Sequence, residues 1–297
     1  MDKKTEMANR SSYSAMGNGR CDYEPYYAFS PVWQFGAGLH CHDFYEIYIH
    51  LQGAKYYCID ESVYPIEPNQ LMIVPPFTMH GHIGAHTPVN YERAFLYVTP
   101  AFLKSIGANM MDLDGFLRNC GSRRQYQYLL TSEDAQCCTS LLKEMKASLD
   151  DNSPMGRLTN YSKMLSFLQI VCHTVQRSGS EAMPVVVNEP MQEVLSYIND
   201  HFMQPLNLET LARRFGISVS YLAHEFGKYT GRSVYDYILY RRVLQAKEMI
   251  SSGVSLNETA YRCGFGDYSS FLRCFKKMTG MTPKAYRKLF MAHEKEN

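Results

Sequence analysis

The chain has 297 residues, 45% apolar and 20% charged, the balance of a globular protein with room for two cores and not that of a disordered chain. No apolar run reaches the roughly eighteen residues of a membrane span, and the polar opening MDKKTEMANRSSYSAMGNGR has no signal-like apolar stretch; a cytoplasmic protein without a membrane partner is expected. The net charge of +1 hides an asymmetry, because residues 1–183 carry 15 Lys+Arg against 18 Asp+Glu while residues 184–297 carry 15 against 11, so the C-terminal part is the one suited to a polyanion.

Residues 1–22 read as a flexible arm. From Tyr23 to about residue 130, short runs rich in Tyr, Ile, Val and Phe (YEIYIHL, KYYCI, QLMIVP, YERAFLYV) alternate with Gly, Pro, Asn and Asp, the pattern of a small barrel. Within it, His40 and His42 share one strand face by alternation, Glu46 lies on the same face, and His80 closes a later strand. Three imidazoles and a carboxylate can hold a divalent metal. The same residues can instead line a pocket for an organic ligand, or hydrogen-bond within the barrel, and the ligand pocket is the favoured reading, with no cofactor assigned. His82, Arg93 and Phe95 extend that pocket. Tyr91, Arg93, Phe95 and Tyr97 share a strand face, and an arginine beside aromatics suits a sugar or small carboxylate.

Residues 131–178 turn helical. Thr131 is placed to cap a helix carrying Leu141, Leu142, Met145 and Leu149; DDNSPMG breaks it; and a second helix from about Arg157 sets Tyr161, Leu165, Leu168 and Val175 on one stripe. The pair is expected to make a homodimer, or else to cover the barrel internally. Residues 179–190 read as a linker. Nine cysteines without CxxC spacing fit reduced, mostly buried thiols.

Residues 191–297 contain a repeat. LARRFGISVSYLAHEFGKYTGRSVYDY and TAYRCGFGDYSSFLRCFKKMTGMTPKAY align Ala212 with Ala260, Gly216 with Gly264, Phe226 with Phe275 and Tyr237 with Tyr286, with one extra turn residue in the second copy. Each copy reads as helix, glycine turn, second helix, the second capped by Ser218 or Asp267. Leu222 and Phe226, and in the second copy Phe271 and Phe275, face inward. One long helix from Ser233 to Ser251 joins the copies. Such a unit presents one helix to a major groove.

Residues 191–289 resemble the DNA-binding domain of the AraC/XylS family of transcription regulators, and GFGDYSSFLRCFKKMTGMTPKAYR is close to that family's signature. The first copy departs from it, since His224 and Gly227 stand where a basic residue is usual. The resemblance implies seven helices and two reading helices set in successive major-groove segments. Base edges are then expected to meet Ser220, Ala223 and His224 from the first helix, and Tyr268, Ser269, Leu272 and Arg273 from the second. Lys228, Arg241, Lys276 and Lys277 are expected on phosphates. The spacing H-x-H-x3-E-x6-G, ending at Gly53, resembles the first motif of cupins; the second motif is weaker, with Asn69 in place of the usual Gly. The expected fold is thus α+β and multidomain: a cupin-like β-barrel, a helical dimerisation segment, and an all-α domain with two helix-turn-helix motifs. The expected function is not enzymatic: a ligand-responsive activator of a small-molecule, carbohydrate-type uptake or catabolic operon, with double-stranded DNA, a small effector and RNA polymerase as partners. The rival is a metal-dependent cupin-type enzyme with a helical extension.

Overall fold

A computed structural model describes residues 22–32, 39–60, 62–83, 89–177 and 188–293. Residues 1–21 of the expected arm and residues 179–187 of the expected linker lie outside them.

The first part is two antiparallel sheets facing each other. The larger has the order β1 (Tyr23–Val32), β7 (Val89–Val98), β2 (Tyr45–Gln52), β5 (Gln70–Val74) and β8 (Gln127–Leu129); the smaller has β4 (Ser62–Pro65), β3 (Tyr56–Ile59) and β6 (His80–His82). Strict alternation decides what each strand buries. From the larger sheet, Tyr45, Ile47, Ile49, Leu71, Ile73, Ala94, Leu96 and Val98 face outward into a core with helices. Their neighbours Tyr48, Met72 and Val74 face inward and meet Tyr57 and Ile59 of the smaller sheet. Asn69, the departure from the cupin glycine, has φ +69°, a left-handed conformation that asparagine tolerates better than other side chains.

Helices α1 (Pro100–Gly107), α2 (Leu113–Ser122), α3 (Ser132–Ala147) and α4 (Pro154–Arg177) cover the outer face of the larger sheet. The Thr131 hydroxyl accepts from Asp134 N, as the sequence indicates. The stripe expected on α4 holds only in part: Leu168 is buried and Val175 packs against the core. Gly156, Asn160, Met164, Phe167, Leu168 and Val171 are buried, whereas Tyr161 is exposed. The reason is that the α3–α4 turn packs through small and polar residues: Asn160 bonds both the backbone carbonyl and the hydroxyl of Ser148, so a polar residue sits on the buried line. The helix also starts at Pro154, the favoured first-turn place for proline.

The C-terminal part is all helical: α5 (Glu189–His201), α6 (Leu208–Arg214), α7 (Val219–Thr230), α8 (Val234–Ser251), α9 (Leu256–Arg262), α10 (Tyr268–Thr279) and α11 (Pro283–His293). The α6–α7 and α9–α10 pairs are the two repeats. Ser218 and Asp267 cap the second helix of each, accepting from Tyr221 N and Ser270 N. Gly216 and Gly264 turn between the helices with φ +65° and +79°, the left-handed region that glycine enters without strain. Each unit has its own core, around Leu211, Leu222 and Phe226 in the first and Ala260, Phe271 and Phe275 in the second, and α8 runs through both. At 18 residues, α8 is a strut of about 27 Å.

The two parts are not separate. The outward residues of the smaller sheet and its flanks, Leu39, Cys41, Cys58, Val63, Met79 and Ile83, belong to one apolar core with Met191, Leu195, Phe226, Tyr240 and Leu244. Among the described residues, no helix is long and apolar enough to cross a membrane.

Candidate functional site

The two helices expected to read DNA, α7 and α10, are built alike. On α7, Leu222 and Phe226 are fully buried, which turns Ser220, Ala223, His224 and Lys228 to solvent. On α10, Phe271 and Phe275 are buried, Tyr268, Ser269, Arg273, Lys276 and Lys277 are exposed, and Leu272 is half-buried. A buried residue every fourth position leaves one continuous outward face per helix. His224, the counterpart of Arg273 in the first helix, lies 3.0 Å from Glu225. Tyr221 is exposed on α7 beside the named residues; the repeat alignment gave no reason to single it out.

Arg241, expected on a phosphate, is elsewhere. Its guanidinium lies 3.6 Å from the Asp60 carboxylate of the barrel and 5.2 Å from the Phe202 ring centre, mostly shielded from solvent. The reason is its position on the face of α8 turned to the barrel. Arg242, its neighbour on that helix, donates to the carbonyls of Phe202 and Gln204.

Inside the barrel, the even positions of β2 (Glu46, Tyr48, His50) and the odd positions of β7 (Tyr91, Arg93, Phe95, Tyr97) turn to one space, joined by His42, Tyr57, His80 and His82. His42 Nε2 and His80 Nε2 approach the same oxygen, Glu46 Oε2, at 3.2 and 3.1 Å, and Tyr57 Oη donates to Glu46 Oε1 at 3.4 Å. Tyr91 Oη meets His82 Nε2 and lies 3.0 Å from Tyr48 Oη. Arg93 lies over the Tyr91 ring at 4.2 Å and donates to Ser30 Oγ at 3.3 Å; Phe95 stacks on Tyr26 at 4.7 Å. Tyr48, His50, Tyr57 and Tyr26 were not foreseen, although period-two alternation from Glu46 would have found Tyr48 and His50.

Burial sets the charges here. It pushes His50 down to about 4 and His82 to about 3, so both rings are neutral near pH 7. Burial also lowers His42, against the pull of Glu46. Burial alone would raise Glu46, but hydrogen bonds and positive potential from His42 and His80 more than reverse this and keep it ionised. The tautomers are fixed from behind: His42 Nδ1 lies 2.8 Å from Phe44 O, and His80 Nδ1 2.8 Å from Thr78 O. A carbonyl only accepts, so each Nδ1 carries a hydrogen, and each Nε2 either donates to Glu46 from a doubly protonated ring or faces the same carboxylate oxygen through its lone pair. A proton, a ligand's donor group or a cation completes such an arrangement. Backbone carbonyls behind Nδ1 are also how metal-binding imidazoles are held. His40 adds a fourth donor, and the ligand atoms of His40, His42, Glu46 and His80 all lie within 4.8 Å of one another. The donor set fits a borderline divalent cation.

Two family models match the chain: an AraC-like ligand binding domain over residues 23–166 and a helix-turn-helix domain over residues 211–289. An uncharacterized HTH-type transcriptional regulator from the cgkA 5′ region of Pseudoalteromonas carrageenovora is 34% identical over 37% of this chain and 67% of its own length. The HTH-type transcriptional activator RhaS of an Enterobacter species is 24% identical over 84% of this chain and 86% of its own length. Among solved structures, the DNA-binding domain of AdpA in complex with a target DNA shares 29% identity, with a TM-score of 0.35, over 36% of this chain and 98% of that one. With a ligand-binding barrel at one end and paired reading helices at the other, the chain belongs to the AraC family of ligand-responsive, DNA-binding transcription regulators.

Proposed function

We propose that this regulator is an activator of a small-molecule uptake or catabolic operon, acting in the cytoplasm, with its effector held in the barrel by His40, His42, Glu46, His80, His82, Arg93 and Phe95. The observation that carries the reading is the barrel interior: a ring of imidazoles, tyrosine hydroxyls, one carboxylate and one guanidinium laid over aromatic faces. Donors and acceptors beside flat apolar faces are what a sugar or small carboxylate requires. The effector binds the two states of the protein unequally and thereby shifts how the reading helices meet DNA.

On the DNA side, Ser220, Ala223, His224, Tyr268, Ser269, Leu272 and Arg273 read bases, and Lys228, Lys276 and Lys277 hold phosphates; their exposure on two matched faces supports this. A homodimer through the helical cover, and contact with RNA polymerase at the promoter, complete the scheme. Met155, Leu158 and Tyr161, exposed along one side of α4, support the dimer.

The test is reporter induction from an operator selected out of random duplexes with and without candidate sugars and carboxylates. His42→Ala, Arg93→Ala and Phe95→Ala are expected to abolish induction, the difference in reporter output with and without effector, while each variant still binds the operator. Induction that survives all three places the effector elsewhere.

A second reading is favoured by the convergence of His42 Nε2 and His80 Nε2 on one oxygen of Glu46. The occupant of the histidine end is then a divalent cation, held by His40, His42, Glu46 and His80 and supplying a Lewis acid to a ligand oxygen. Elemental analysis of the purified chain separates the two readings. Stoichiometric metal together with turnover of a small substrate would instead favour a cupin-type enzyme.

A further inference from the structure

Residues 39–43 form a short segment whose side chains go alternately to two destinations. His40 and His42 turn into the pocket with Glu46 and His80. Leu39, Cys41 and Asp43 turn to the helical domain, and polar contacts fasten each of them there. Leu39 N donates to Thr230 O at 2.9 Å, and Leu39 O accepts from Arg232 Nε at 2.6 Å. The Tyr240 hydroxyl donates to Cys41 O at 2.7 Å and accepts from Cys41 N at 2.8 Å. The Asp43 carboxylate accepts from Lys247 Nζ at 2.9 Å and from Tyr286 Oη at 2.8 Å. The neighbouring strand repeats the arrangement: His80 pairs with His40 through two backbone hydrogen bonds, and Asp60, bonded to Met79 N, is the partner of Arg241.

These partners cover both DNA-reading units. Thr230 ends the first reading helix and Arg232 follows its glycine cap, Tyr240 and Lys247 stand about two turns apart on α8, and Tyr286 is in the core of the second unit. We propose that residues 39–43 are a relay that transmits the state of the histidine pocket to both helix-turn-helix units and so sets the angle between the two reading helices. The proposal rests on the reading of that pocket as the effector site. One backbone carries both sets of side chains, so a ligand that displaces His40 and His42 also displaces Leu39, Cys41 and Asp43. The hydrogen bonds between Cys41 and Tyr240 are buried, those from Arg232 and Tyr286 part-buried, and buried ones are costly to leave half-made. The segment therefore has a docked and a released arrangement rather than a continuum, which is what a switch requires.

The test is a double-mutant cycle on the full chain, with a duplex that the wild type selects from a random pool. Tyr240→Phe keeps the buried ring and removes both hydrogen bonds to Cys41; Glu46→Gln changes the pocket without changing its shape. Each is expected to shift duplex affinity by about fivefold or more, the lower end of ordinary coupling between sites. The double variant is expected to match Tyr240→Phe alone, because a pocket without its relay is not heard. Hydrogen exchange at the Cys41 amide should quicken in Tyr240→Phe. Should that variant melt early, Asp43→Asn takes its place in the cycle. Additive effects, or relay variants that bind the duplex like wild type, overturn the proposal. If Glu46→Gln is silent in both backgrounds while Tyr240→Phe still acts, the pocket reading itself has failed and the relay has no sender. If Glu46→Gln acts and the effects add, only the relay has failed.

Discussion

Arg273 stands exposed in the second turn of α10, with Ser270 Oγ 3.3 Å from its guanidinium. Arg241, one helix strut away, is drawn against Asp60. Both are arginines of the basic C-terminal part, and their surroundings give them different work. Arg273→Ala is expected to weaken binding to the selected operator by roughly 1–3 kcal/mol and to relax the preference at one base pair. Lys276→Ala should weaken all duplexes alike and lower the slope of affinity against salt by about one. Arg241→Ala should leave that slope unchanged, because its charge is already committed to a carboxylate. Fluorescence anisotropy at several salt concentrations measures all three, and a salt slope reduced in Arg241→Ala would return that residue to the phosphates. Local chemistry made the caps at Thr131, Ser218 and Asp267 legible in the sequence, since the partner of each lies three residues on. The Arg241 partner comes from a distant strand, and no local pattern announces such a contact.

At the scale of elements, the two glycine turns look equivalent in sequence and are not equivalent in space. A Cβ on Gly216 would meet nothing within 4 Å, whereas a Cβ on Gly264 would lie 2.3 Å from the Met203 carbonyl oxygen. Both have positive φ. Gly216→Ala is therefore expected to cost about 1–2 kcal/mol, the strain of a left-handed alanine. Gly264→Ala adds a clash with backbone that cannot step aside, for a sum of roughly 3 kcal/mol or more. Urea unfolding of the full chain measures the difference, and equal losses would refute the crowded second turn. The repeat itself was readable because the same buried residues recur at a fixed offset. The first helices after the barrel, α1 and α2, and the three-residue strand β8 were not, because each is short and is held by contacts with the sheet and not by its own periodicity. The α4 stripe misled for a related reason: Asn160 is buried through its bonds to Ser148, and a hydrophobic pattern ranks it as solvent-facing.

Across the whole molecule, the layers run from the α3–α4 cover through the larger sheet, the polar interior and the smaller sheet to the first helix-turn-helix unit. The last of these boundaries is a core, not a seam, since Met79, Val63 and Cys58 of the barrel are fully buried with Leu195, Leu222 and Phe226. Apolar burial of this kind makes two parts unfold together. Near-ultraviolet signals from the barrel tyrosines and the far-ultraviolet signal of the helices are thus expected to melt in one coincident transition. Met79→Asp places a carboxylate in the shared apolar core, and a charge so placed costs more than the lost methionine contacts alone. The variant is expected to split the melt, with the barrel signal leaving first, and to free the two DNA-reading units from the barrel. Its operator affinity should then no longer respond to any pocket substitution. A single melt in Met79→Asp, displaced but still coincident, would mean that the polar contacts of residues 39–43 hold the two parts together without that core.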